Sequence, residues 1–341
     1  MSKSIYTAQT QNLSFSGNLS VNVTSALGFI PVKDASITIS LTSNPDTVVE
    51  TLTTDNSGQT QSVSLPAPNI SYSKDPANEI QPYAEYNIAV SAPGYEDAYI
   101  SGTEILADVT AIQPISLNPL EEPRPKEPIV IPDHTLYGEY PPKIPEDDEI
   151  KPTNEPGEIV LSRVVIPEYV IVHDGVPQDP TAQNYYVRYT DYIKNVVSSE
   201  IYATWPESAI YANTLAIMSF TLNRVYTEWY RNQGYDFTIT SSTAYDQKWI
   251  YGRNIYSNID RIVDSIFANY LSRPGVRQPI FTSYCDGNRV TCEGLSQWGS
   301  RYLGEQGYTP IEIIRYYYGN DMYINSTQYI SGVPSSWPGY D

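Results

Sequence analysis

Apolar and polar residues alternate along much of the first third of the chain, from about residue 13 to residue 120. In 35–41 the apolar residues Ala, Ile, Ile and Leu are separated by Ser or Thr, and 86–90 has a similar spacing. A period of two residues is typical of strands that bury one face. Turn sequences such as Asp-Asn-Ser-Gly at 55–58 separate these runs. The pattern predicts a small antiparallel β-sandwich of about 110 residues.

The spacing changes to that of helices beyond residue 166. A helix is predicted at 191–201, and a longer, mostly buried one at 207–233, between Pro206, where a helix start tolerates proline, and Gly234, where a helix stops. Together with short strand-like runs, these helices predict an α+β domain. The remaining predicted elements are helices at 259–271, 295–306 and 310–318 and strands at 237–240 and 279–284.

Proline and acidic residues dominate the stretch between these two regions. Nine of the 45 residues in 121–165 are proline, and Glu-Asp-Asp-Glu occupies 146–149. Such a stretch is typical of an extended, exposed linker that proteases can cut. We therefore expect a β-domain at 1–120, a Pro-rich acidic linker at 121–165 and an α+β domain at 166–341.

The net charge of the chain limits the kinds of molecule that it is expected to bind. Lys and Arg number 20 against 39 Asp and Glu, which gives a formal net charge of −19. This balance argues against a nucleic acid or an anionic membrane as partner. The first 12 residues are polar, and no run of 18 apolar residues occurs, so we expect neither a Sec-type signal peptide nor a membrane span.

Few residues could hold a metal or act as a nucleophile. The chain has two histidines, His134 and His173, and two cysteines, Cys285 and Cys292. We predict no metal site and no cofactor, because a structural zinc needs four ligands. A reduced, buried cysteine pair is favoured, and a disulfide or half of a metal site stays open. The sequence also lacks a phosphate-binding loop and a serine nucleophile elbow.

Glu200 is the carboxylate with the most suggestive surroundings. It ends a predicted helix and precedes Tyr202 and Trp205. Aromatic neighbours would remove water from the carboxyl group and raise its pKa toward the value that a general acid needs near neutral pH. The alternative is a cap or ion pair for the following helix, which the spacing alone favours.

Three blocks of the first region carry a family resemblance. The sequences at 32–39, 53–58 and 86–95 resemble the immunoglobulin-like module of the carboxypeptidase-regulatory type. The resemblance implies an all-β immunoglobulin-like sandwich for residues 1–120.

Blocks of the second region resemble the stage II sporulation protein D domain over about 150 residues. They are 200–209, 223–226, 239–247 and, most specifically, 294–318, with Gly-Leu-Ser-Gln-Trp-Gly at its start. Together with 166–173 and 226–237, they are similar to the clostridial spore cortex-lytic enzymes, in which a pre-pro region precedes this domain. The expected fold class is therefore multidomain, an immunoglobulin-like sandwich followed by an α+β stage II sporulation protein D-like domain.

The resemblance implies lytic transglycosylation of peptidoglycan between N-acetylmuramic acid and N-acetylglucosamine, with Glu200 matching the family's catalytic glutamate. One carboxylate suffices because the muramoyl C6 hydroxyl is the internal nucleophile, which yields a 1,6-anhydro product. The alternatives are a non-catalytic cell-wall or spore-coat glycan-binding protein and a muramidase-type hydrolase.

Further candidates for substrate binding carry polar or aromatic side chains. They are Ser296, Gln297, Tyr284, Asp246, Gln247 and Tyr202. For Ser296 and Gln297 the alternative role is capping and bracing a helix. For Asp246 and Gln247 it is bracing a loop, and for the aromatic residues it is buried packing.

The resemblance also implies regulation and a location. In the relatives, a subtilisin-like germination protease removes the region before the catalytic domain, so we expect a zymogen that is cut between about residues 121 and 170. The N-terminal β-domain would cover or restrain the glycan groove. The expected partner is spore cortex peptidoglycan with muramic-δ-lactam, and the expected location is the cortex or coat, after synthesis in the mother cell without a signal peptide.

Overall fold

A computed structural model describes residues 12–26, 30–120, 127–146, 149–152 and 161–330. The chain forms two compact units. The first unit comprises Met1–Asp133 and Tyr251–Asn258, and the second comprises His134–Ile250 and Ile259–Asp341. The N-terminal region is rich in sheet and the C-terminal region contains the α-helices, so the protein is multidomain as expected. The immunoglobulin-like assignment stays a prediction.

The described strands and helices follow one another along the chain. The strands are β1 (Phe15–Ser25), β2 (Ser36–Leu41), β3 (Asn44–Thr53), β4 (Val63–Ala67), β5 (Ala84–Ser91), β6 (Ala98–Ile105), β7 (Thr110–Leu117), β8 (Ile129–Val130), β9 (Val165–Pro167), β10 (Tyr169–His173), β11 (Asn184–Arg188), β12 (Ile239–Thr240), β13 (Ile255–Tyr256), β14 (Asn269–Ser272), β15 (Tyr284–Cys285), β16 (Leu295–Ser296), β17 (Tyr323–Ser326) and β18 (Gln328–Ile330). The helices are α1 (Tyr189–Glu200), α2 (Glu207–Tyr226), α3 (Ser257–Ile266), α4 (Gln297–Glu305) and α5 (Pro310–Tyr318), with 3-10 turns at Ile70–Lys74 and Arg231–Gln233.

Two sheets build the first unit, in the orders β4-β1-β7-β13 and β3-β2-β5-β6-β8. The alternating pattern buries one face of β1, β2 and β7, for example Ile37 and Ile39 on β2, whereas no residue of β3 is buried. Most pairs are antiparallel, as predicted, but β1 and β7 run parallel over eight residue pairs. Five strands separate these two in sequence, which leaves enough chain for the crossover that a parallel pair needs.

The long helix α2 is the centre of the second unit. Most of its side chains are buried, and the hydroxyls of Thr214, Ser219 and Thr221 donate to carbonyls four residues earlier at 2.8–2.9 Å, which satisfies them inside the core. The helix is shorter than the predicted 207–233. It ends at Tyr226, because Glu228 turns the chain with a φ of 49°.

The other predicted helices of the second unit are present, most of them with shifted ends, and the strand predicted at 237–240 is reduced to 239–240. The helix predicted at 310–318 has these bounds, and α1 lies within two residues of its prediction. The helix predicted at 259–271 ends at residue 266, since its last part forms β14. The helix predicted to start at 295 starts at 297 after β16, and only the last predicted residue of 279–284 is in a strand.

The Pro-rich stretch is not exposed throughout its described part. Residues 134–146 and 149–152, which we call the strap, belong to the second unit, and His134 and Lys151 are buried there. The strap lacks α-helix and long strands, so its position depends on individual side-chain and backbone contacts.

Candidate active site

Glu200 is the last residue of α1 and is almost fully buried, with 4% of its surface exposed. The backbone N–H of Lys248 donates to its Oε1 at 2.9 Å, and Nε2 of Gln297 donates to its Oε2 at 3.1 Å. Burial raises the pKa of the Glu200 carboxyl, and the two hydrogen bonds together with the Lys143 and Lys248 charges oppose that shift in part. The carboxyl is therefore both fixed in place and easier to protonate than a solvated one.

Gln297 and Ser296 have different roles at the start of α4. Gln297 also donates to the backbone oxygen of Glu200 at 3.2 Å, so it holds both ends of that residue. The Ser296 hydroxyl accepts from the Gly299 N–H at 2.9 Å and thus caps the helix. The structure brings Gln297 to Glu200 and gives Ser296 a capping contact.

Aromatic side chains cluster beside Glu200. The ring centroids of Tyr202 and Trp205 lie 6.1 Å apart, as do those of Tyr202 and Trp298, and Trp205 and Trp298 are 4.9 Å apart. Tyr202 also stacks on His134 of the strap, with a centroid distance of 4.5 Å. Tyr202 and Trp205 are buried, so in this structure their rings pack against neighbouring side chains, including His134 of the strap, and do not face solvent.

The Asp246 carboxylate is part of a buried hydrogen-bond network. It accepts from Arg224 Nε at 2.8 Å, from the Tyr230 hydroxyl at 2.6 Å, and from both the N–H and the hydroxyl of Thr240. These contacts fix the loop just before Lys248, whose N–H holds Glu200. Bracing this loop is the role that the described contacts give to Asp246.

Gln247 is buried in the same loop. Its Oε1 accepts from the Thr221 hydroxyl at 2.8 Å and from the Tyr192 hydroxyl at 3.2 Å, and its Nε2 donates to the Ile217 carbonyl. These partners lie on α1 and α2, so Gln247 ties the loop to the helical core.

Lys143 is a residue of this site that sequence reasoning missed. Its Nζ lies 4.7 Å and 5.0 Å from the ring centroids of Phe220 and Tyr284, and donates to the Asp246 carbonyl at 3.1 Å. Burial lowers the pKa of Lys143, and the negative charge of Glu200 acts in the opposite direction. Tyr284, a predicted sugar-stacking residue, thus has a strap ammonium against its ring. No periodic or motif signal marks Lys143 within the Pro-rich sequence.

The beginning of the strap contacts the residues on either side of Glu200. The Thr135 N–H donates to the Ser199 carbonyl at 3.2 Å, and Nε2 of His134 lies 3.2 Å from the Ile201 carbonyl oxygen. With Lys143, these contacts place the strap around the catalytic candidate.

Ion pairs hold the end of the strap. Glu146 pairs with Arg224 through two hydrogen bonds, one of them 3.0 Å from Nη1 to Oε2, and with Lys151 Nζ at 2.9 Å. Glu149 pairs with Arg273, whose Nε and Nη2 each donate at 2.9 Å. The strap is therefore docked by charge as well as by packing.

Cys285 and Cys292 form a disulfide with a Cα–Cα distance of 6.1 Å. The favoured expectation of a reduced, buried pair is wrong, because a tight turn brings the two together and leaves Cys292 exposed. Within the loop they close, Arg289 donates to the Gly138 carbonyl at 2.8 Å and to the Leu136 carbonyl. The disulfide loop thus contacts the strap.

Two features are absent from the residues that the structure describes. Among those residues, no three or more His, Cys, Asp or Glu side chains gather as a group that could hold a metal ion. No helix among them is both long and apolar enough to cross a bilayer.

The family model for the stage II sporulation protein (SpoIID) matches residues 179–266, which include Glu200, α2 and the Asp246–Gln247 loop. The match supports a sporulation-related cell-wall protein and, since this family is associated with peptidoglycan degradation, a cell-wall enzyme. Peptidoglycan as substrate and a spore-related location are consistent with it. No curated protein matches the chain significantly.

Several solved structures show partial similarity. The Bacillus anthracis TIE protein is 15% identical over 31% of this chain and 17% of its own, with a TM-score of 0.22. The minor pilin GBS52 of Streptococcus agalactiae is 13% identical over 33% of this chain and 48% of its own, with a TM-score of 0.23. The Klebsiella pneumoniae 5-hydroxyisourate hydrolase is 12% identical over 30% of this chain and 86% of its own, with a TM-score of 0.20. Scores this low carry no argument about fold or function.

Proposed function

We propose that the protein is a lytic transglycosylase that cleaves the bond between N-acetylmuramic acid and N-acetylglucosamine in spore cortex peptidoglycan. The observation that carries the proposal is the Glu200 carboxyl, which is buried, has a raised pKa and is oriented by Lys248 N–H and Gln297. A single carboxyl of this kind can act first as an acid and then as a base.

In this mechanism protonated Glu200 donates its proton to the glycosidic oxygen, and the bond from that oxygen to muramoyl C1 breaks. The resulting carboxylate then accepts the proton of the muramoyl C6 hydroxyl while the C6 oxygen bonds to C1. The glutamic acid is restored and the product is a 1,6-anhydro sugar. Because the nucleophile belongs to the substrate, its effective concentration is high and a second catalytic carboxylate is not needed.

We propose in addition that the intact chain is a zymogen that a subtilisin-like germination protease activates. The strap supports this proposal, because it contacts Ser199, Ile201 and Tyr202 and places Lys143 near Glu200. The sequence predicts that the β-domain restrains the site. We propose instead that the strap does so, because the strap contacts the residues on either side of Glu200. The proposed cut between 121 and 170 falls partly outside the described residues.

The experiment compares three versions of the full-length chain in which a specific protease site replaces 153–160. They are the parent chain, Glu200→Gln, and Glu207→Gln as a matched control in which an exposed carboxyl is changed. Each is incubated with purified cortex before and after cutting, and the released muropeptides are analysed by mass spectrometry.

We expect anhydromuramoyl products from the cut parent and the Glu207→Gln chain, and a loss of at least about 10²-fold for Glu200→Gln. Reducing ends that are one water heavier would instead identify a hydrolase. Normal turnover by cut Glu200→Gln would refute the catalytic assignment, and equal activity before and after cutting would refute the zymogen.

A further inference from the structure

Eight residues from the middle of the C-terminal sequence are part of the first unit. They are Tyr251–Asn258, and the chain on either side of them belongs to the second unit. Within this segment β13 pairs antiparallel with β7, Ile255 opposite Ile112 and Tyr256 opposite Ala111. The sheet β4-β1-β7-β13 therefore includes a strand that the chain supplies well after residue 120.

A buried ion pair fixes this segment to β6. Nη1 and Nη2 of Arg253 donate to Oε1 and Oε2 of Glu104 at 3.0 and 2.8 Å, and both side chains are fully buried. Planar, bidentate geometry of this kind is the strongest form of a side-chain ion pair. If the two side chains separate while they stay buried, each charge is left without a counter-charge and without water. That state is strongly unfavourable.

Hydrogen bonds to the backbone surround the pair. The Asn254 side chain accepts from the Glu104 N–H at 3.0 Å and donates to the Glu104 carbonyl at 3.1 Å, as a strand neighbour would. Gln113 Nε2 donates to the Gly252 carbonyl at 2.8 Å.

Gly252 itself allows a close approach to β8. It has a φ of +73°, and a Cβ at this position would lie 2.5 Å from Ile129 Cγ2. Both the backbone and the side chains of residues 251–258 therefore contact the rest of the first unit.

We infer that the N-terminal region stays bound as a separate, non-covalent subunit after the chain is cut between residues 121 and 165. The attachment is made by residues 251–258, which remain covalently joined to the C-terminal chain while they are folded into the first unit. A cut before residue 127 leaves β8, which pairs with β6, on the C-terminal chain as a second contact. Cutting the chain would then not by itself separate the β-domain from the C-terminal chain. This inference uses the proposed cleavage and is independent of the proposed lytic chemistry.

The test uses the full-length chain with an N-terminal affinity tag and a specific protease site in place of 121–126. After cutting, the C-terminal chain is expected to remain on the affinity resin, to co-elute with the tagged fragment in size-exclusion chromatography, and to separate from it in urea. Separate elution in native buffer, with both fragments still folded by circular dichroism, would overturn the inference.

Two substitutions test whether the Arg253–Glu104 pair carries the attachment. In the cut protein, Glu104→Gln is expected to raise the dissociation constant at least about 100-fold, because Arg253 loses its counter-charge. The matched control Glu79→Gln changes an exposed carboxyl of the same unit and is expected to leave it unchanged. Unchanged retention in Glu104→Gln would contradict the assignment.

If Glu104→Gln prevents folding of the first unit, Arg253→Lys keeps the charge and loses the bidentate geometry. A smaller rise, of about 10-fold, is then expected, and no rise would again contradict the assignment. Cut Glu200→Gln is expected to retain the fragment like the parent chain. A failure of retention is thereby distinguished from a failure of the lytic proposal.

Discussion

Replacing Glu146 with Gln would remove the charge that anchors the strap to α2. The Arg224 side chain is fully buried and that of Glu146 is 18% exposed, so their pair is largely shielded from water. Burial alone would raise the pKa of Glu146, but the hydrogen bonds and charges of Arg224 and Lys151 outweigh it and hold the pKa below its usual value. The carboxylate is therefore stabilised in its docked position at neutral pH.

The free energy of strap docking that Glu146→Gln is expected to lose is smaller than for a buried ion pair with no other partners. Breaking such a pair by removing one partner costs about 3–5 kcal/mol. Here Asp246 still balances Arg224 at 2.8 Å, and the new amide can accept one hydrogen bond. Loss of one charge-assisted hydrogen bond, about 2 kcal/mol, is the better measure, and it corresponds to a roughly 30-fold larger population with the strap released.

The assay is muropeptide release from cortex by the uncut chain, together with hydrogen exchange of the strap amides. We expect uncut Glu146→Gln to release muropeptides about 10- to 30-fold faster than the uncut parent. The control Glu139→Gln changes an exposed carboxyl of the strap and should behave like the parent. If exchange shows that the strap is loosened while release stays at the parent level, the strap is not the restraint.

Three further outcomes are expected. Burial raises the pKa of Glu200, so ionisation of this carboxyl at a pH above the ordinary pKa of glutamate lowers the free energy of unfolding. Glu200→Gln should therefore melt at the same or a higher temperature than the parent at pH 8, measured by calorimetry. Burial and the Glu104 charge raise the pKa of Glu85 from 4.5 to about 7, so the first unit should lose stability as pH rises through this interval, and Glu85→Gln should flatten that dependence. Replacing both Cys285 and Cys292 with Ser should lower the free energy of unfolding by up to about 2.5 kcal/mol, and reductant should lower the melting temperature of the parent but not of this variant.

Local patterns in the sequence were sufficient to predict most of the helices and strands. The helix α5 has the predicted bounds because Thr309 and Glu312 form a capping box and Pro310 stands at the first helical turn. The strand β2 was predictable from the alternation at 35–41 because a period of two residues is visible in consecutive positions of the sequence. The end of α2 was missed because the turn at Glu228 carries no glycine or proline.

The site was predictable in part. Glu200 was a candidate because of its aromatic neighbours and a motif, and Gln297 because of the motif alone. The structure brings these two candidates together although 97 residues separate them. Lys143 and Glu146 were missed because their partners lie 78–103 residues away and no spacing rule relates them. Long-range ion pairs of this kind depend on tertiary structure, which composition and periodicity do not encode.

The position of Arg253 limits how this protein can exchange modules. Residues 179–266 match one family model, yet eight of them belong to the first unit, and two of these eight form the edge strand β13 of its sheet. A recombination that kept 179–266 and substituted another N-terminal module would leave the Arg253 guanidinium and the β13 edge without partners. A chimaera would therefore need a redesigned 251–258 segment, or a carboxylate supplied at the place of Glu104, before it could fold.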